Sequence, residues 1–216
     1  MRYVLLLRGI NVGGNNRVVM KELKEQLTKV GFQHVSSYIN SGNLFFETEL
    51  ERTAIIELLN QLFETHYSFD LKYSLIDVKR YLAEFNQLPI WWQEEMARKD
   101  VLFFTDEINR EAVISKVSQY PLHNEKVHFG EIAIYWGKLD EAEFLKTAYH
   151  KQLAKESFYK QIPYAMAKPI KKLRRFLKVR GELRCNILKS PKLTLINYLI
   201  CISQWGGQVI PVNQKC

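Results

Sequence analysis

Apolar residues recur with two different periods along the first 77 residues, and these periods predict six elements. Short runs rich in aliphatic, aromatic and β-branched residues predict strands at residues 3–8, 35–39, 44–48 and 71–76. Apolar positions at helical spacing predict helices from about residue 20 to Gly31 and over residues 51–66. Strand, helix, strand, strand, helix, strand is the order of a ferredoxin-like plait, an antiparallel sheet with both helices on one face.

The same order of elements returns after residue 100, without a matching sequence repeat. Patterns typical of strands occur at residues 101–105, 126–129, 132–136 and 161–165, and patterns typical of helices at residues 110–117 and 141–153. We therefore predict an α+β fold of tandem ferredoxin-like (α/β plait) domains with a basic C-terminal extension. The predicted boundaries are 1–77 for the first domain, 78–99 for a bridge, 100–165 for the second domain and 166–216 for a basic helix and extension.

The bridge contains a helical pattern over residues 78–85 and the pair Trp91-Trp92. Two adjacent indoles suit a buried wedge between two domains and could also form a platform on which a ligand stacks. We favour the wedge, because paired tryptophans in an apolar segment more often serve packing.

A polar loop, residues 8–16, directly follows the first predicted strand and is built from arginine, glycine and asparagine. In a plait the first and third strands are adjacent and antiparallel, so this loop and the turn at residues 40–43 should share one edge of the sheet. The N-terminus of the first helix lies at the same edge, and its free N–H groups favour an anion. This reasoning from topology predicts an anion site.

Each residue type in the two turns has a plausible role at such a site. Arg8 supplies a fixed charge and a planar fork for phosphate or carboxylate, Asn11 and Asn43 supply neutral hydrogen bonds, and the glycines let the backbone approach a ligand closely. The predicted ligand-binding residues of the two turns are Arg8, Gly9, Asn11, Gly13, Gly14, Ser41, Gly42 and Asn43.

A third group, Lys146, Tyr149 and His150, has the spacing of one helical neighbourhood. The spacing fits two interpretations. The three side chains either form a solvated, partly amphipathic face or point toward a ligand, and we include them in the predicted ligand-binding set under the second interpretation.

These motifs resemble a widespread bacterial family known only as domain of unknown function 1697. The resemblance is carried by Leu-Leu-Arg-Gly-Ile-Asn-Val-Gly-Gly at residues 6–14, by Tyr-Ile-Asn-Ser-Gly-Asn at residues 38–43 and by Lys-Thr-Ala-Tyr-His at residues 146–150. It extends from residue 1 to about residue 160. It implies a tandem-plait fold and no established activity.

The chain departs from the family pattern after Tyr164. Where the family resemblance implies a segment with Arg-Asn and a nearby threonine, this chain has Ala-Met-Ala-Lys-Pro at residues 165–169. A final helix is predicted over residues 170–179, and residues 181–216 match nothing that the resemblance implies. Any contribution of the Arg-Asn segment to the site is therefore missing here.

Composition and charge are those of a globular protein whose basic character is local. Of 216 residues, 47% are apolar and 25% charged, and the formal net charge is +8. Residues 151–216 hold 14 lysines and arginines against 2 acidic residues, so the rest of the chain is mildly acidic. Because no secretory signal or apolar run of about 20 residues is present, we expect a cytoplasmic protein with no membrane partner.

Several common chemistries lack their signatures. The glycine loop matches neither the dinucleotide-binding nor the P-loop motif, and no cofactor is predicted. No two of the five histidines have i, i+4 spacing on one helix, and the chain has no cluster of acidic residues or thiols beside them. This argues against a metal site. Ser41 lies outside any nucleophile elbow, so we interpret it as a turn residue.

Three functions remain open on the sequence. The first is binding of a phosphate-bearing or other anionic small ligand at the two turns, with a nucleotide favoured over RNA because the aromatic motif of RNA-recognition domains is missing. The second is a small-molecule enzyme, with Arg8 stabilising an oxyanion and Tyr149 or His150 acting as acid or base. The third is an interaction module whose basic tail contacts acidic partners or nucleic acid.

Overall fold

A computed structural model describes residues 1–38 and 42–166. In this part of the chain the fold is mixed α+β, with two four-stranded antiparallel sheets and several helices. The predicted turn residues Asn40 and Ser41, the predicted helix at 170–179 and the basic extension beyond Met166 lie outside the described residues.

The first sheet has the strand order β2-β3-β1-β4. Two helices, α1 and α2, connect its strands, and both cover the same face. Their bounds, in chain order, are β1 Arg2–Leu7, α1 Met20–Lys29, β2 Gln33–Tyr38, β3 Asn43–Glu47, α2 Arg52–His66 and β4 Tyr73–Asp77. The predicted elements are all present, and β4 begins two residues later than expected.

The second sheet has the equivalent order β6-β7-β5-β8. Helix α3 and a short 3₁₀ turn at Ile90–Gln93 lead into it. The remaining bounds are α3 Val78–Phe85, β5 Arg98–Phe103, α4 Arg110–Val117, β6 Glu125–Phe129, β7 Ala133–Lys138, α5 Ala148–Lys151 and β8 Tyr164–Met166.

The single helix predicted over residues 141–153 is wrong. The segment forms a 3₁₀ turn at Phe144–Lys146, the four-residue helix α5 and a second 3₁₀ turn at Leu153–Lys155. Thr147 has extended backbone angles, and its hydroxyl accepts a hydrogen bond from the N–H of His150. Since an N-cap residue begins a new helix, Thr147 interrupts the apolar period that predicted a continuous one.

Strand β5 also begins earlier than the predicted residue 101, because three charged residues, Arg98, Lys99 and Asp100, belong to it. Lys99 and Asp100 are buried. Charged residues pack inside a sheet only when partners neutralise or hydrogen-bond them. Lys99 donates to the carbonyls of Trp92 and Glu94 in the preceding turn. Asp100 accepts from Arg98 and from Lys138, which is 38 positions away. These contacts depend on the folded chain, so the apolar pattern alone could not include the two residues in the strand.

The sheets form the middle of a layered molecule with three apolar clusters. Strand β1 contributes to two of them: Tyr3, Leu5 and Leu7 face α1 and α2, whereas Val4 and Leu6 face the second sheet. This explains why five successive residues of β1 are buried. The third cluster joins the far face of the second sheet to α4 and α5.

Trp92 occupies the central cluster between the sheets and is 2% exposed. Its ring meets Tyr135 of β7 edge-on at a centroid distance of 5.1 Å and Trp91 at 5.5 Å. Trp92 is therefore buried between the two sheets, whereas Trp91 is only partly buried. A hydrogen bond also joins the two sheets, because the Ser74 hydroxyl of β4 donates to the carbonyl of Phe103 in β5 at 3.1 Å.

The described residues contain no helix that is long and apolar enough to cross a membrane.

Gly42 provides a first testable prediction about the edge where the two turns meet. Its φ is +76°, and a Cβ there would lie 2.9 Å from both Leu7 Cβ and Ile10 Cδ1. We expect Gly42→Ala to destabilise the protein by about 2–4 kcal/mol, from backbone strain and overpacking together.

Gly9→Ala is the matched control for Gly42→Ala. Gly9 has a similar φ, +67°, but nothing lies within 4 Å of an added Cβ. Gly9→Ala should lower the free energy of unfolding by only about 1 kcal/mol, which is the cost of the backbone strain. Denaturant unfolding measures both variants, and equal losses would show that the contact with Leu7 and Ile10 is unimportant.

Candidate functional site

Arg8 lies immediately after β1, between the first sheet and the last part of the described chain. Its backbone N–H donates to the carbonyl of Lys72 at 2.8 Å, which holds the residue at the end of the sheet. The side chain is partly buried. Its guanidinium carbon lies 4.6 Å from the ring centroid of Tyr164 and 5.3 Å from that of Tyr159, so two tyrosines support the charge.

The hydrogen bonds of the Arg8 guanidinium are long and go only to carbonyls. Nε donates to the carbonyl of Lys160 and Nη2 to that of Tyr159, both at 3.4 Å. Within residues 1–38 and 42–166, no carboxylate lies within 4 Å of this guanidinium. A partly buried arginine without a counter-ion has bonding capacity left for an external anion.

The glycine and asparagine loop that follows Arg8 closes on itself as a small hairpin. Val12 pairs with Asn15, and Gly13 and Gly14 have φ values of +58° and +81° at its tip. The Asn11 amide both donates to the carbonyl of Val18 and accepts from its N–H, each at 2.9 Å. The Asn11 side chain is therefore occupied within the loop.

The second turn contacts the first. The N–H of Leu7 donates to the carbonyl of Gly42 at 2.9 Å, and Gly42 faces Leu7 and Ile10. Asn43 has no exposed surface. Gly9, Gly13 and Gly14 are exposed on the loop, whereas Ser41 lies outside the described residues.

The structure separates the members of the third predicted group. Lys146 is exposed and forms an ion pair with Glu143 at 3.0 Å. His150 is partly buried, with its ring 5.2 Å from that of Phe144. Tyr149 is buried and approaches the Arg8 region, because its hydroxyl lies 2.9 Å from that of Tyr159.

The hydroxyls of Tyr149 and Tyr159 are protonated at neutral pH, and burial moves their pKa values further above it. It raises the pKa of Tyr149 well above 10. It raises the pKa of Tyr159 to about 12, although the hydrogen bond from Tyr149 and the charge of Arg8 both oppose the rise. Near Arg8 the two side chains therefore act as neutral hydroxyls, which add no negative charge that would repel an anion.

Next to Tyr149 lies a charged cluster, Arg98, Asp100 and Lys138, that the sequence analysis missed. The Nε of Arg98 donates to both carboxylate oxygens of Asp100, at 3.0 and 3.1 Å, and the ammonium of Lys138 donates to one of them. Lys138 is 1% exposed and Asp100 has no exposed surface. The ammonium also lies 3.4 Å from the centroid of the Tyr149 ring.

A signal for this cluster exists in the sequence. Arg98, Lys99 and Asp100 directly precede an apolar strand run, and Lys138 follows another one after Gly137. Charges that continue the period of a buried strand are candidates for a paired interior cluster. The sequence does not predict which charges pair, because Asp100 and Lys138 are 38 positions apart.

Two other features do not contribute to this site. An open groove of about 470 Å³ lies along α1, lined among others by Lys21, Lys24 and Val35, and contains none of the predicted ligand-binding residues. In the described part of the chain, no three histidine, cysteine or acidic side chains are grouped to hold a metal ion.

Comparisons with known proteins give a family and a structural neighbour. The model of a family described as a protein of unknown function, DUF1697, matches residues 1–135. The structure of the conserved bacterial protein SP0830 from Streptococcus pneumoniae is 43% identical in sequence, with a TM-score of 0.74. The match covers 82% of this chain and 96% of that one. No curated protein matched.

Proposed function

The chain belongs to the DUF1697 family of proteins of unknown function, and we propose that it binds a phosphate-bearing or other anionic small ligand at Arg8. The observation that carries the proposal is the guanidinium of Arg8, which is partly buried and fixed on two tyrosine rings, with no carboxylate partner in the described residues. A fixed guanidinium without a carboxylate partner keeps bonding capacity for an external anion.

The geometry favours recognition of a planar or tetrahedral oxyanion. Stacking on Tyr159 and Tyr164 fixes the plane of the guanidinium, so its N–H groups are aimed before a ligand arrives. Nη1 has no protein acceptor in residues 1–38 and 42–166. A phosphate or carboxylate in that plane would gain charge-assisted hydrogen bonds, each worth about 1.5–3 kcal/mol.

We propose that residues 1–77 and 100–165 are two ferredoxin-like plaits in tandem, joined by the bridge at 78–99. The equivalent strand orders of the two sheets, and the two helices on one face of the first, support this assignment. Arg8 and its two tyrosines then lie where the plaits meet.

Among anionic ligands we propose a nucleotide or a similar small molecule ahead of RNA. The loop beyond Arg8 is closed by its own hydrogen bonds, and Phe46 of β3 is 1% exposed and stacked on Phe32 at 4.3 Å. Because single-stranded RNA is usually recognised by bases stacked on exposed aromatic residues, this strand offers little for RNA.

Arg8→Gln tests the proposed function. We expect orthophosphate or a nucleotide to bind the wild-type protein and to bind Arg8→Gln at least about tenfold more weakly, since one charged hydrogen bond is lost. Arg8→Lys should give an intermediate loss, because a lysine keeps the charge without the planar fork. Isothermal titration calorimetry at two salt concentrations measures the affinities, with short RNAs as competitors.

The matched control is Arg2→Gln. Arg2 lies at the other end of the same strand, where it pairs with Glu47 at 3.0 Å on the surface. The Arg2→Gln variant should bind orthophosphate or a nucleotide with the same affinity as the wild-type protein. The absence of binding to the wild type, or equal affinity in Arg8→Gln, would contradict the proposed function.

A further inference from the structure

Arg98 has the features of an anion-binding residue in its own right. Its Nε is held by both oxygens of Asp100, and its guanidinium carbon lies 5.5 Å from the ring centroid of Phe144. The side chain is 25% exposed. In the described part of the chain neither of its Nη nitrogens has a hydrogen-bond acceptor, so the fixed fork presents its outer edge to solvent.

The cations around Arg98 are matched in number by buried carboxylates, but in the described residues only Asp100 contacts them. Arg98 and Lys138 share the single carboxylate of Asp100. Glu125 is the next buried carboxylate, and it accepts from the indole of Trp136 at 2.8 Å and from the N–H of Ala148 at 2.6 Å.

The nearby carboxylate of Glu143 is also engaged, with Lys146 and Asn124. The carboxylates next to the Asp100 cluster therefore serve other donors. Arg98 therefore shares its contacting carboxylate with Lys138, and its outer N–H groups keep bonding capacity for an anion from outside.

A short chain of side chains connects Arg98 with Arg8. Phe144 carries Arg98 on its ring and lies 6.4 Å from the ring of Tyr149. The Tyr149 hydroxyl contacts that of Tyr159, and Arg8 lies over the Tyr159 ring. Burial lowers the pKa of Arg98, but Asp100, Tyr149 and Tyr159 together raise it above its ordinary value. Arg8 limits the rise in the pKa of Tyr159.

We propose that Arg98 is a second anion-binding position of the site at Arg8, and that the ligand carries at least two linked anionic groups, as oligophosphates and nucleoside polyphosphates do. The inference rests on the proposed function for the Arg8 position. Asp100 is a positioning residue that fixes the Arg98 fork, and Lys138 supplies the positive charge behind it.

The length of a linear phosphate chain tests this inference directly. Orthophosphate, pyrophosphate and tripolyphosphate are titrated calorimetrically into the wild-type protein, Arg8→Gln and Arg98→Gln. We expect wild-type affinity to rise at least about tenfold along the series, as a second charged contact forms. Arg98→Gln should bind orthophosphate normally and show less than about a threefold rise along the series.

Arg110→Gln is the matched control, because Arg110 also lies over a phenylalanine ring of the second sheet, at 5.7 Å from Phe104, but pairs with Glu111. It should keep the full wild-type rise. The same rise in Arg98→Gln as in the wild type would overturn the inference and leave the Arg8 proposal intact. Loss of the rise in Arg98→Gln, with unchanged orthophosphate binding in Arg8→Gln, would refute the proposed function and leave Arg98 as an anion site of its own.

A second measurement needs no variant and covers the case in which Arg98→Gln does not fold. Wild-type protein is treated with phenylglyoxal, which modifies accessible arginines, and the peptides are identified by mass spectrometry. Tripolyphosphate should protect both Arg8 and Arg98, whereas orthophosphate should protect Arg8 alone. Arg80, which is 57% exposed on α3, should react equally in all samples. Unprotected Arg98 at saturating tripolyphosphate would overturn the inference.

Discussion

Replacing Asp100 by asparagine should destabilise the protein by about 3–5 kcal/mol, because it removes the one carboxylate shared by two buried or partly buried cations. The substitution preserves shape, so the loss reports the charge. Lys138 is 1% exposed in the folded state. The free energy of unfolding from denaturant titration measures the effect.

Asp106→Asn is the matched control for Asp100→Asn. Both oxygens of Asp106 also accept from one arginine, Arg52, at 2.8 Å, but that pair is more than a third exposed on the aspartate side. A surface pair of this kind contributes about 0–1 kcal/mol. The double variant Asp100→Asn, Lys138→Met should recover part of the loss, and similar values for all three variants would contradict the account of the cluster.

The loss in Asp100→Asn should also depend on pH. Burial lowers the pKa of Lys138 from 10.5 to about 8, and Asp100 opposes this fall. Between about pH 8 and 10.5 the unfolded wild-type chain binds more protons than the folded one, so stability rises with pH there. Without Asp100 the pKa falls further and the rise begins at lower pH. The destabilisation should therefore be larger at pH 6 than at pH 9.

Trp92→Ala should cause a loss of similar size, about 3–5 kcal/mol, by opening a cavity in the apolar cluster between the sheets. The substitution removes the buried indole together with its edge-on contact with Tyr135. It also removes the ring whose centroid lies 5.6 Å from the ammonium of Lys99. Because the cluster joins both sheets, we expect the two sheets of the variant to unfold together in a single transition at lower denaturant concentration.

Ile90→Ala is the control for Trp92→Ala. Ile90 belongs to the same 3₁₀ turn but is 84% exposed, so its truncation should change stability by less than about 0.5 kcal/mol. Thermal and chemical unfolding followed by circular dichroism and by tryptophan fluorescence test both variants. A small loss in Trp92→Ala would show that the central cluster does not hold the sheets together.

The elements that the sequence predicts well are those whose signals are local. Helix α3 was predicted at Val78–Phe85, and Asp77 caps it by accepting from the N–H of Arg80 at 2.7 Å. Helix α1 ends next to Gly31, whose φ of +99° suits the end of a helix. In both cases the residues that fix the element lie within it or beside it.

The features that the sequence predicts poorly depend on distant partners. The break in the helix at Thr147 is an exception, because its cap bond to His150 is local. In strand β5 the buried Asp100 accepts from Lys138, which lies 38 positions away in the chain. The same holds at the candidate site. Topology predicted that the turns at Arg8 and Gly42 meet, but the support of Arg8 by Tyr159 joins residues 151 positions apart and had no local signal.

The most direct test of the anion site is a crystal structure of the protein with orthophosphate or tungstate at a concentration that saturates binding in solution. We expect an anion with an oxygen about 3 Å from an Nη of Arg8, beside the rings of Tyr159 and Tyr164. An anion bound elsewhere, with the Arg8 guanidinium in contact only with protein carbonyls, would contradict it.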